Sequence, residues 1–119
     1  SSAGQMCIRD RYSYTTISGT GSAAGSTAQT NQNVFELGNF GIPSSSLPFL
    51  ATIDIFSYAG STNKTCLFTL NDDANGSGNV EYSVGLFRST SAITQVNILQ
   101  LSTTYKIGTT ATLYGIKAA

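Results

Sequence analysis

Short runs in which apolar and polar residues alternate one by one dominate the middle of this chain, and they fix its fold class. The cleanest is Val80-Glu81-Tyr82-Ser83-Val84-Gly85-Leu86. A period of two is the signature of a pleated strand with one face covered, so Val80, Tyr82, Val84 and Leu86 are expected to face in, with Glu81 and Ser83 facing out. In Ala51-Thr52-Ile53-Asp54-Ile55-Phe56-Ser57-Tyr58, residues Ala51, Ile53 and Ile55 share one face, while Asp54, Phe56 and Tyr58 share the other. Cys66, Phe68 and Leu70 alternate with Thr65, Leu67 and Thr69. Turn signals separate these runs: Gly60-Ser61-Thr62-Asn63 reads as a hairpin connection, as does the glycine-rich stretch from Asp72 to Gly78. No window of a dozen residues carries the three-and-four apolar spacing of a helix.

The rest of the chain extends the pattern. Tyr12 to Ile17, Asn33 to Leu37, Ile93 to Leu101, Tyr105 to Gly108 and Thr110 to Lys117 each read as a further short strand. Ser18 to Gln32 is small and polar, and is expected to be a long mobile loop, or an ordered one if a partner subunit covers it. Gly41-Ile42-Pro43 and Ser44 to Pro48 should break the ladder, because proline has no N–H to give it. Six or seven strands at roughly 10- to 15-residue spacing fit an antiparallel β-sandwich.

Composition narrows the chemistry. Ser, Thr, Asn and Gly supply 52 of 119 residues, and only 10% are charged, so the surface is hydroxyl-rich and nearly uncharged. A formal net charge of zero argues against a nucleic-acid partner held by phosphate neutralisation. No apolar run approaches the ~20 residues of a bilayer span, so membrane insertion is not expected. With no histidine and two cysteines, the common zinc sites cannot be built from one chain, and the usual general base is missing. The reading is a non-enzymatic protein without cofactor.

Residues 1–11 read as a leader foreign to the rest, and residues 12–119 as a single domain. Met6-Cys7-Ile8-Arg9-Asp10-Arg11 resembles the in-frame translation of a transposon-end sequencing adapter. Such a segment is left out of fold reasoning. Native sequence is then expected to be lost upstream of Tyr12, and Cys7 with Cys66 is not read as a disulfide.

The C-terminal part carries a resemblance. Ile98, Tyr105 and Gly108-Thr109-Thr110-Ala111-Thr112-Leu113-Tyr114-Gly115-Ile116-Lys117 resemble the closing strands of a family of tailed-bacteriophage virion proteins, jelly-roll-like β-sandwich modules of tail fibres, receptor-binding proteins and head fibres. Ile53-Asp54-Ile55 with Tyr58, Gly60, Ser61 and Asn63-Lys64, and Val84-Gly85-Leu86-Phe87 with Ala92-Ile93-Thr94, are similar to earlier parts of those modules. The likeness runs over most of residues 33–119. It implies a jelly-roll-like sandwich, here N-terminally truncated, located in the virion and made in the host cytoplasm. The implied function is adhesion to the host surface from a tail fibre or other appendage. The implied partners are further copies of the chain (a trimer by analogy), other virion proteins and a host-surface glycan. A capsid- or neck-decorating protein without a receptor is the alternative, and a glycan-active enzyme domain a more distant one.

Individual residues add little chemistry. Asn71, Asp73 and Asn75, with Gly76 at the turn, have the spacing of the first ligands of a calcium loop, but position twelve is Tyr82 and Glu81 falls one short. A polar hairpin turn explains them equally well. Asp72 and Asp73 are adjacent, so a paired-carboxylate site would need Asp54 or Glu36 to converge on them. Asn63-Lys64-Thr65 and Asn75-Gly76-Ser77 match the glycosylation sequon. Cys66 reads as a small buried hydrophobe. Tyr82 and Tyr114 are read as structural, while Tyr12, Tyr14 and Tyr58 are candidates for glycan or subunit contact.

Overall fold

The computed structural model describes residues 10–38, 48–73, 75–99 and 105–117. Their strands are β1 (Tyr12–Gly19), β2 (Ala24–Gln32), β3 (Leu50–Ile55), β4 (Lys64–Asp72) and β5 (Asn79–Phe87). The fold class is all-β: the strands form one antiparallel sheet in the order β2-β1-β5-β4-β3. The Ile93, Tyr105 and Thr110 segments, in their described parts (residues 93–99 and 105–117), form no strand. The Pro43 break, the Ser44 to Leu47 stretch, Cys7 and most of the foreign-looking leader lie outside the described residues.

Two segments exchange roles relative to the sequence reading. The polar stretch Ser18 to Gln32 holds the last two residues of β1, a tight turn, and then β2, which is paired along its length with β1. An edge strand needs one ladder and little apolar cover, so Thr, Ser and Gln suffice there. Asn33 to Leu37 leaves the sheet instead and folds over one face, where Phe35 and Leu37 pack on the cluster of Tyr14, Cys66 and Phe68.

The third correction concerns which way β5 faces. Asn79, Glu81 and Ser83 are buried, whereas Val80, Tyr82, Val84 and Leu86 are exposed. The covered face thus carries Tyr14 and Thr16 from β1, Glu81 and Ser83 from β5, and Lys64, Cys66 and Phe68 from β4. Alternation defines two faces without saying which is inside. Two things decide it here. Gly85, on the covered face, leaves room for the Phe35 ring, which an alanine Cβ would strike. And among the described residues the buried polar side chains of that face find partners on it or in the covering loops, apart from two acceptor oxygens, Asp72 Oδ2 and Asn79 Oδ1. Thr16 and Ser83 hydroxyls bond across β1–β5 at 2.7 Å. Glu81 accepts from the Asn79 amide at 2.9 Å and from the Gly38 N–H at 3.1 Å. The Tyr14 hydroxyl donates to Glu36 at 3.3 Å. Lys64, fully buried, donates to the carbonyls of Gly60 (2.8 Å), Thr62 and Ser89 (3.1 Å).

Candidate functional site

The strand register brings the exposed side chains of β1 to β5 into rows across the open face. One row runs Thr52, Thr69, Tyr82, Ile17 and Ser26 from β3 to β2; the next runs Asp54, Leu67, Val84, Thr15 and Ala28. Val80, Tyr82, Val84 and Leu86 form a spine down the middle, with Val80 61% and Tyr82 47% exposed. Asp54 is the single charge on this face among the described strand residues. Threonines flank the spine, and Thr52 and Thr69 bond each other at 2.7 Å. Two open depressions lie here. One, of about 440 Å³, is lined by Phe49, Leu50, Asn71 and Val80 with Asp72 and Asp73 at its end. The other, of about 360 Å³, is lined by Thr15, Ala28, Thr65, Val84 and Leu86 among others. An apolar, almost uncharged face of this kind is chemistry for a second protein layer rather than for a polar small molecule.

The sites picked out from the sequence take other roles. Asp73 Oδ1 accepts the Gly76 N–H at 2.8 Å, and Asn75 and Gly76 hold φ of 57° and 86°, so this is a tight polar turn. Asn71 lies on β4 with its side chain toward the open face. Among the described residues, no group of three or more His, Cys, Asp or Glu could hold a metal ion. Asp72 secures the β4–β5 hairpin by accepting the Asn79 N–H at 3.0 Å. Its other oxygen and the Asn79 Oδ1 are buried without partners. Asp54 is on the open face and Glu36 is bonded to Tyr14 over the covered one, so these acids do not converge.

The tyrosines separate by environment. Tyr14, 4% exposed, is a core residue edge-on to Phe68, and its ring is closed to any sugar. Tyr12 stacks on Phe87 at 4.7 Å and meets the edge of Phe35. Burial raises its pKa above the ordinary value, the charge of a Cys66 thiolate adds to this, and Arg11 opposes it. Tyr58 is exposed in the turn after β3, where its carbonyl accepts the Ile93 N–H. Tyr82 and Tyr114, expected to be structural, are both exposed, Tyr82 within β5 and Tyr114 outside any strand. Cys66 is a buried free thiol, as its phase with Phe68 predicts, and burial pushes its pKa up to about 11. At neutral pH it is protonated and a poor nucleophile. Sequence reading missed the open face as a site; Gly85, a glycine in a strand interior, was the available signal that another chain segment approaches β5 on the opposite side.

No family model matches the chain, and neither a curated protein nor a solved structure matches it.

Proposed function

We propose that this chain is a structural and adhesive module of a bacteriophage virion, part of a tail fibre or other appendage that contacts the host surface. The observation that carries this reading is the ordered set of segments from Ile53 to Lys117 resembling phage appendage modules, on a chain whose sheet leaves one apolar face open. A face of that kind belongs to a subunit that works within an assembly. The finer architecture proposed is a jelly-roll-like sandwich completed on the open face by a second layer. The hydroxyl-rich, nearly uncharged surface supports hydrogen bonding to neutral glycans, with many weak sites on one particle gaining avidity.

The open face supports one other reading, a capsid- or neck-decorating subunit whose contacts are all with virion proteins. Mass spectrometry and antibody labelling of purified particles test the common part of both. The protein is expected in particles, at an appendage; its absence from them overturns both readings. A glycan array then separates them. Retention of host-surface glycans supports adhesion, and no retention, together with loss of particle stability when the protein is deleted, supports decoration.

A further inference from the structure

At the turn end of β4 and β5, two oxygens are buried with no donor to meet them. Asp72 closes β4 and Asn79 opens β5, and the two are partners across the ladder, with side chains on the covered face. Asp72 Oδ1 accepts the Asn79 N–H at 3.0 Å, and the Asn79 amide donates to Glu81 at 2.9 Å. The remaining oxygen of each, Asp72 Oδ2 and Asn79 Oδ1, is buried without a hydrogen-bond partner. Asn79 as a whole is only 4% exposed. Both oxygens are acceptors, so neither can satisfy the other. The nearest cations along the chain, Lys64 and Arg88, sit at the far ends of the two strands. Lys64 is engaged by three backbone carbonyls, and Arg88 by Ser13 and the Asp10 carbonyl. A buried carboxylate oxygen without donor or counter-charge costs folding free energy, which a bound positive ion recovers. Asp72 and Asp73 also border the open depression of about 440 Å³, which gives an ion from solvent a way in.

We infer that Asp72 Oδ2 and Asn79 Oδ1 hold a calcium ion at the turn end of the β4–β5 hairpin. The donors are a carboxylate and an amide carbonyl, hard oxygens that suit calcium rather than zinc or copper. With one acid and one amide, the site needs no cluster of three acids. Magnesium demands a near-ideal octahedron, whereas calcium accepts an irregular shell completed by water. Two side-chain oxygens make a weak site, with a dissociation constant of roughly 0.1–1 mM, as in extracellular modules. It is a different site from the one that the spacing of Asn71, Asp73 and Asn75 suggests. Asn71 faces the open side, and Asp73 Oδ1 is taken by the Gly76 N–H. The ion ties the last residue of β4 to the first of β5 and so pins the hairpin shut. This holds whatever assembly the chain enters.

The test is thermal unfolding of the full chain, first stripped with a chelator and then titrated with calcium, magnesium or sodium chloride at matched ionic strength. In about 5 mM calcium the midpoint is expected to rise by about 3–10 °C, and in magnesium by less than half as much. Asp72→Asn keeps an acceptor for the Asn79 N–H and removes the charge. It is expected to abolish the calcium response without lowering the midpoint in chelator. Asp73→Asn, at the exposed neighbour, is expected to keep at least half of the response. Asn79→Asp adds a second carboxylate, and calorimetric titration is expected to show calcium bound at least fivefold more tightly. Circular dichroism checks that each variant keeps its strand content. Three results overturn the inference: no calcium-dependent shift in the parent chain, which leaves an ordered water as the partner of both oxygens; an equal shift in magnesium; or a shift that survives Asp72→Asn and disappears with Asp73→Asn.

Discussion

Gly85 shows how one missing methyl group sets the orientation of a strand. Phe35 lies over it so closely that Gly85→Ala is expected to destabilise the protein by about 1–3 kcal/mol, read from the denaturant midpoint, as overpacking does elsewhere. Trimming the ring with Phe35→Leu in the same chain should recover part of that loss. Cys66 gives a second expectation. Its pKa near 11 in the fold lies above the ordinary value near 9, so the unfolded chain loses the proton first as pH rises. The stabilisation is therefore complete below about pH 9 and is lost as pH climbs toward 11. Midpoints at pH 8 and 10.5 should differ for the parent chain and differ less for Cys66→Ala, with Tyr12, raised in the same direction, leaving a residual slope. Residue-level chemistry was partly legible beforehand. Cys66 as a core residue followed from its phase with Phe68, but Tyr14 looked available because a hydroxyl tip says nothing of Glu36 waiting beyond it.

Strands β1, β3, β4 and β5 could be read from alternation and turn residues, since both are local. Strand β2 could not: Ala24 to Gln32 has no apolar face, and its order comes wholly from the ladder that β1 offers. The facing of β5 was illegible for a related reason. Hydrophobicity pointed Val80, Tyr82, Val84 and Leu86 inward, whereas the covered side is held by reciprocal polar bonds that only the assembled sheet creates. The Thr16–Ser83 pair measures that effect. Thr16→Val alone strands a buried hydroxyl and should cost about 1–3 kcal/mol, while Thr16→Val with Ser83→Ala should cost clearly less than the sum of the single changes, in a double-mutant cycle by chemical denaturation.

For the whole molecule, the proposed assembly has a limited choice of form, because contacts between unlike surfaces of identical subunits either close into a ring or continue without end. Sedimentation velocity over a wide concentration range should therefore show one discrete oligomer if the rotation closes, or a broadening distribution if it does not. In the same samples, amide exchange should show β1, β4 and β5 protected at every concentration. The candidate site itself was not visible in the sequence, because it is made by five strands in register and by the chain turning away from them after β5.

The place of β1 between β2 and β5 has a consequence during synthesis. Thr16 and Ser83 are 67 residues apart, so the first hairpin leaves the ribosome long before its central neighbour exists. β2 ends 55 residues before β5 does, so at translation speeds of about 5–20 residues per second that hairpin waits roughly 3 to 11 s with the aromatic residues of β1 unshielded. In a crowded cell making many copies at once, those seconds are when nascent chains are most open to pairing with the wrong sister.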